Sequence, residues 1–241
     1  MKNLKKIKGD ASFREFFRKR NKKISSILII SKKEKFKNLL VYDSINKILR
    51  KNKILAPKLY KENYKKNSIE IEDFGYDTIF KILIKKRSNK LFYFKKIIET
   101  LNKIQKIKDK NVKNFKNKNF KIPTYTKKVL IKEANLFCDW YLKKNLPKKE
   151  KTKFTKKYKK IIKRLSLSLK LKNNIFVHRD FHVSNLMLVK NRIGVIDSQD
   201  ALLGNRAYDV ASLIDDVRIK TSKLLKNKVY KLYIKNQKKN W

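Results

Sequence analysis

His178, Arg179, Asp180 and Asn185 make the pattern H-R-D-x-x-x-x-N, and Asp197 follows twelve residues after Asn185, at the end of the apolar run "RIGVID". These types at this spacing suit transfer of a phosphoryl group from a metal-bound nucleotide. An acceptor hydroxyl needs a carboxylate to orient it and take its proton, a task for Asp180. Mg²⁺ is a hard ion that takes oxygen ligands, and the amide of Asn185 with the carboxylate of Asp197 supplies two. D-x-x-x-x-N alone arises by chance. With HRD before it, strand-like "IFV" and "LMLV" on either side and a second Asp behind an apolar strand, it becomes a specific constellation. His182, inside the loop, either faces substrate or braces the loop.

The rest of the chain is saturated with lysine. Its 241 residues carry a formal charge of +47. Yet the window Ile175–Arg218 holds five basic residues against six aspartates (180, 197, 200, 209, 215 and 216). Extra lysines there would compete with a metal for the carboxylates. Elsewhere Lys, Asn and Ile abound while Gly and Pro are scarce, the signature of AT-biased coding, with Lys filling tolerant surface positions. A nucleic-acid reader would favour Arg for bidentate contacts. The charge is therefore read as a solvated face and not as a nucleic-acid site.

Several elements must position the constellation. "ISSILIIS" (24–31) reads as a buried strand, 36–51 as a helix broken at Pro57, and "SIEIEDFG" (68–75) as a strand ending at Gly75. From there to Asn173 the pattern is mostly helical. One helix after Pro123 puts Val129, Ala134, Phe137, Trp140 and Tyr141 on one apolar face, read as core. "AYDVASLIDDV" is a helix with Ala207, Val210, Ala211, Ile214 and Val217 inward. The sum is an α+β chain, with a small strand-containing N-terminal part (1–74) and a larger, mainly helical part (75–241). The longest apolar run, "ILII", cannot span a bilayer. A single cysteine, Cys138, excludes an internal disulfide. A cytoplasmic protein with a small-molecule substrate and no membrane partner is expected.

Five pieces in order, "GDASFREFFR" (9–18), "IEDFG" (71–75), "EANLFCDWYL" (133–142), "HRDFHVSNLML" (178–188) and "IDSQDALLGNRAYDVASLIDDVR" (196–218), resemble the aminoglycoside-phosphotransferase/choline-kinase-like superfamily. Within it the chain is most similar to bacterial cell-wall recycling kinases that phosphorylate N-acetylmuramate and N-acetylglucosamine at the anomeric hydroxyl. The resemblance implies the protein-kinase-like two-lobed fold, ATP and Mg²⁺. It places Asp10, Ser12 and Arg14 near ATP, the backbone of Glu72 to Phe74 against adenine, and Asp180 as base. Asn185 and Asp197 become the metal ligands, and Asp209 a brace on the catalytic-loop backbone. Asp200 would reach substrate or its neighbouring loop, with Arg179 supporting. "SSILIIS" departs from the kinase pattern, because it lacks the strand lysine that holds phosphates. Backbone groups, or Lys32 and Lys33 at its end, would take that task. Family members also carry further C-terminal helices, so a fragment or a reduced form is implied by an end at Trp241.

Among acceptors, a muramate carboxylate would want a cation such as Arg206 or Arg218. A choline, aminoglycoside or homoserine acceptor is the alternative within the superfamily, and cationic ones would want an acidic, aromatic pocket. A basic nucleic-acid-binding protein or an inactive kinase relative is the alternative outside it.

Overall fold

The computed structural model describes residues 4–7, 14–20, 24–32, 34, 37–85, 89–169 and 172–237. Five antiparallel strands form the N-terminal sheet: β1 (Leu4–Ile7), β2 (Arg14–Arg20), β3 (Ser25–Ser31), β4 (Leu59–Asn63) and β5 (Ser68–Glu72), in the order β1-β2-β3-β5-β4. Sequence reading finds β3 and β5, whose apolar residues alternate. It passes over β2, "REFFRKR", because that strand is too charged to look like one. Its alternation has a purpose. Arg14, Phe16 and Arg18, two residues apart, all face the inter-lobe cavity, as the two-residue strand period requires.

Helix α1 (Asn38–Lys51) packs under the sheet. Leu39 and Tyr42 join Ile27, Ile29, Ile69 and Ile71 in a small core. Further along the same helix, Ile45, Ile48 and Leu49 join the large core instead. The apolar interior therefore does not divide at residue 74, and α1 belongs to both lobes. Lys37 at its N-cap is left-handed (φ 54°) and makes no side-chain cap. The orphan N–H of Leu39 goes to Glu34 Oε1 at 2.7 Å, an acidic group where the helix dipole favours one.

The second lobe holds α2 (Ile79–Leu83), α3 (Lys90–Ile104), the hairpin β6 (Asn111–Lys113) and β7 (Asn119–Lys121), α4 (Lys127–Leu136), a π-helical stretch Phe137–Leu142, the short α5 (Lys143–Asn145) and α6 (Lys148–Ser168). There follow β8 (Ile175–Val177), β9 (Leu186–Val189), β10 (Arg192–Val195), β11 (Leu202–Gly204), α7 (Ala207–Ile214) and α8 (Lys223–Gln237). Phe94, Ile97, Leu101, Phe176, Phe181 and Val195 are fully buried in its core. The Lys/Asn-rich connection expected before Pro123 contains the β6–β7 hairpin.

Two predicted faces hold only in part: Val129 packs against Tyr125, Val177 and Leu202, and Val210 and Ile214 face the large core, but the other positions do not follow. On α4 no residue is buried, and Trp140 is 68% exposed in the π-helical stretch beyond it. The extra residue per turn rotates the aromatic positions away from the α-helical stripe that the spacing assumed. On α7 the buried residues are Asp209, Val210 and Leu213, while Val217 lies beyond the helix end and is 94% exposed. A purely apolar stripe misjudges this helix because its inward face carries a carboxylate with work to do.

Candidate active site

The loop that carries His178, Arg179 and Asp180 hangs between β8 and β9 and is held from below. Asp209 reaches up from α7 and accepts the backbone N–H groups of His178 (2.8 Å) and Arg179 (2.9 Å). Burial raises the Asp209 carboxyl to about 7, against the lowering effect of those two donors. Asp216 accepts the N–H of Val183 at 3.3 Å from the other side. His178 is fully buried, which depresses its pKa to about 4. Neutral, its Nε2 meets the carbonyl of Ile196 at 3.1 Å, tying loop to strand. Arg179 sits at φ 79°, a left-handed conformation that a side chain adopts at an energetic penalty. Its guanidinium pairs with Glu133 and lies 4.0 Å from Asp200. Glu133 also accepts the Tyr125 hydroxyl.

A hairpin closes the twelve-residue gap between Asn185 and Asp197. Leu186 pairs with Val195 across β9 and β10, and the Ile196 N–H donates to the Asn185 carbonyl at 3.0 Å. The two turn residues, Lys190 and Asn191, both have positive φ, as a tight hairpin that matches strand twist demands. Asp197, also left-handed at φ 61°, is thereby turned into the cleft beside Asn185. The Asn185 Nδ2 donates to the Asp180 carbonyl at 3.1 Å, which leaves its Oδ1 as the atom for a cation. His182 Nε2 lies 3.3 Å from the same amide nitrogen. Burial raises the Asp180 carboxyl first, and the charges of Asp200 and Asp197 raise it further; Arg179 and Arg218 oppose them. A raised carboxyl near two other acids is the electrostatic pattern of a functional site.

Above these residues lies a cavity of about 570 Å³ between the lobes, lined by Asn185, Asp197 and Asp200 at one end and by Ile27, Ile71, Phe74, Met187 and Ile196 along its walls. Asp180 does not line it and is held behind Asn185. The Phe74 ring packs over Gly194 of β10, where an added Cβ would stand 2.8 Å from the ring. A side chain at that position would press on the ring, so glycine lets Phe74 pack closely against the second lobe. The Glu72 carboxylate turns outward, to the Lys58 N–H at 3.2 Å and to Arg50 at 3.5 Å.

The structure also supplies what the sequence reading lacked. Arg18 grips Asp73 through two hydrogen bonds of 2.6 and 2.8 Å, donates to the Gly75 carbonyl at 2.5 Å, and stacks over Tyr76 at 3.7 Å. The one available signal was the R-x-F-x-R period in β2. Arg14 Nη2 meets Asp197 Oδ1 at 3.2 Å. Lys32 is not brought to the cavity. It lies beyond the end of β3, 73% exposed, and pairs with Glu15 at 3.6 Å. Arg206 points to α8, donating to Gln237 Oε1 at 2.9 Å, away from the loop. Arg218 pairs with Asp216 at 3.2 Å on the loop side. Asp10, Ser12 and Lys33 lie outside the described residues.

A magnesium ion fits this donor set. Asn185 and Asp197 offer an amide and a carboxylate oxygen on one wall of the cavity, and Mg²⁺ keeps waters and substrate phosphates as its other ligands. The described residues contain no group of three or more His, Cys, Asp or Glu side chains able to hold a metal by themselves.

The model of the family described as "Phosphotransferase enzyme family" matches residues 3–230. The chain belongs to that family. It is 27% identical over 214 residues to the N-acetylmuramate/N-acetylglucosamine kinase of Neisseria meningitidis, covering 88% of this chain and 60% of the relative. Against the protein of the same description from Pseudomonas aeruginosa the identity is 28% over 208 residues, covering 86% and 58%. The chain thus spans about three fifths of the length of the curated relatives it matches. The streptomycin–ATP ternary complex of APH(2")-IIa superposes with a TM-score of 0.68 at 16% identity, covering 97% of this chain and 78% of that one. This likeness shows that the chain has the protein-kinase-like two-lobed fold. No helix among the described residues is long and apolar enough to cross a membrane.

Proposed function

We propose that this chain carries the catalytic machinery of an ATP- and Mg²⁺-dependent kinase that phosphorylates a hydroxyl of an amino sugar of the N-acetylmuramate/N-acetylglucosamine type. The observation that carries the reading is that Asn185 and Asp197 line one inter-lobe cavity with apolar walls, with Asp180 tied directly behind them by the bond from the Asn185 amide to its backbone carbonyl. The curated relatives' names narrow the acceptor.

The apolar walls suit a flat purine, with the hinge backbone at its edge and the phosphates running toward Asn185 and Asp197. Bound there, Mg²⁺ would neutralise charge on the transferring phosphoryl group. Asp180 would accept the acceptor's proton, and its raised carboxyl brings it nearer the pH at which a base works well. Asp209 and Asp216 hold the loop backbone so that Asp180 does not wander, since catalysis of this kind depends on positioning. Arg218, paired with Asp216 on the loop side, would be the cation to meet a muramate carboxylate. Arg206, turned to α8, would not. A nucleotide-consuming enzyme with one buried free cysteine, Cys138, fits the cytoplasm.

The test is an ATP-consumption screen over N-acetylmuramate, N-acetylglucosamine, choline, aminoglycosides and homoserine, with Asp197→Ala as control. Sugar-dependent ADP release in the wild type, absent in the variant, is expected. Turnover with choline or an aminoglycoside and none with the amino sugars refutes the acceptor assignment. Wild-type turnover in Asp197→Ala refutes the metal assignment.

A further inference from the structure

We propose that Arg14 is the phosphate-binding cation of this cleft, replacing the lysine absent from β3, and that its ion pair with Asp197 is exchanged for nucleotide phosphate when the metal enters. The inference rests on reading the cavity as a nucleotide site. Its grounds are positional.

Strand β3, from Ser25 to Ser31, contains no cation. Arg14 is the cross-strand partner of Ser31, its last residue. A cation on β2 at that register therefore stands next to where the end of β3 would otherwise supply one. Among the described residues three cations line the cavity: Arg14, Arg18 and Lys81. Arg18 is committed to Asp73, the Gly75 carbonyl and the Tyr76 ring. Lys81 donates to the Tyr76 carbonyl at 3.0 Å, at the hinge mouth. Of the three, it is Arg14 that bonds a carboxylate at the proposed metal end, Asp197.

That contact is built to be exchanged. At 3.2 Å the contact is long for a charged pair, and although the Arg14 side chain is only 9% exposed, that of Asp197 is 37% exposed, so water reaches the carboxylate and weakens the pair. A guanidinium binds phosphate oxygens in a two-pronged, charge-assisted geometry that is stronger than this single bond. The arginine also has an acidic neighbour behind it. Glu34, fixed by the Leu39 N–H at the start of α1, lies within reach of the Arg14 charge.

A consequence follows for the order of binding. While Asp197 Oδ1 accepts from Arg14, a divalent cation must compete with a guanidinium for the same carboxylate. A nucleotide triphosphate removes that competition by taking the arginine. Metal and nucleotide affinities are then coupled, and linkage makes the coupling reciprocal.

The experiment is calorimetric titration of the chain with ATP, adenosine and Mn²⁺ (the metal alone), on the wild type, Arg14→Gln, Arg14→Lys and, as a charge-loss control on the same strand, Lys19→Gln. Arg14→Gln is expected to weaken ATP about ten- to hundredfold, the loss of a charged hydrogen bond or two. Adenosine binding should be unchanged, and nucleotide-free Mn²⁺ should bind more tightly. Arg14→Lys should be intermediate for ATP, and Lys19→Gln should match the wild type. ATP affinity in Arg14→Gln equal to the wild type overturns the phosphate role. Equal losses for ATP and adenosine with a lowered melting midpoint assign Arg14 a merely structural one. Unchanged Mn²⁺ binding overturns the exchange. A wild type that binds neither ATP nor adenosine refutes the nucleotide reading itself, a failure distinct from the others.

Discussion

Replacing Arg18 by Met should destabilise the protein more than almost any other single change at the cleft. Arg18 and Asp73 have side chains only 9% and 4% exposed, so solvent screening does not reduce their interaction. Removing the guanidinium leaves a buried carboxylate with two remaining donors, the Ser25 hydroxyl at 2.5 Å and the Gly75 N–H at 2.9 Å. Breaking a buried pair in this way costs about 3–5 kcal/mol, a large part of the roughly 5–15 kcal/mol by which domains are stable. At about 2–4 °C per kcal/mol for a chain of this size, the melting midpoint should fall by roughly 6–20 °C. The partner variant distinguishes charge from packing. Arg18→Met with Asp73→Asn removes the stranded charge while keeping an acceptor for Gly75, and should recover half or more of the loss. pH supplies a second check. Burial would raise the Asp73 carboxyl, but the hydrogen bonds from Arg18, Ser25 and Gly75 outweigh it and leave it below the ordinary aspartate value of 3.8. A lowered folded pKa means stability that is present above the unfolded pKa and is lost as the pH falls through the folded one. The wild type should therefore lose stability below about pH 4, and Arg18→Met should show less of that acid-side slope. Urea unfolding of the four proteins in the cycle, at neutral and acid pH, measures all of this. A loss under 1 kcal/mol in Arg18→Met, or no recovery in the double variant, would refute the argument.

Three further outcomes are expected. Asp180→Asn should lower kcat by about 10²–10⁴-fold, the span of a lost general base, with ATP affinity by calorimetry little changed; a collapse of nucleotide affinity with kcat intact would mean that Asp180 binds and does not catalyse. Gly194→Ala forces a methyl to 2.8 Å from the Phe74 ring. It should cost about 1–3 kcal/mol in urea unfolding and raise KM for ATP as the hinge shifts, whereas an unchanged melting curve and KM would show that the ring yields freely. Replacing lysines within 108–121 and 148–160 by Gln should leave kcat/KM unchanged at moderate salt, because charges beyond about 8 Å are screened there. Loss in those variants of a tight, salt-sensitive RNA binding shown by the parent would instead make the basic surface functional.

By itself the sequence determined which residues stand together at the candidate site. Asp180, Asn185 and Asp197 were legible because their spacing is set locally, by one loop and one two-residue hairpin. The strands β3 and β5 were legible because both are apolar and alternate. What spacing could not supply was any pairing between distant segments. Arg18 meets Asp73 across 55 residues and Arg14 meets Asp197 across 183. A cation in β2 carries no mark of which carboxylate it will face, especially in a chain where lysine is everywhere. Lys32 looked suited to phosphate by its place at a strand end, but the strand stops one residue too soon to carry it into the cavity. Hydrophobic periodicity failed on α7 for a related reason. Asp209 must be buried to hold the catalytic loop, and a buried carboxylate looks like a surface residue until its two backbone donors are seen. Local spacing fixes which atoms stand side by side along the chain. Only the closed tertiary structure decides which charges meet across it, because their partners are chosen by the packing of two lobes around a shared helix and a cavity.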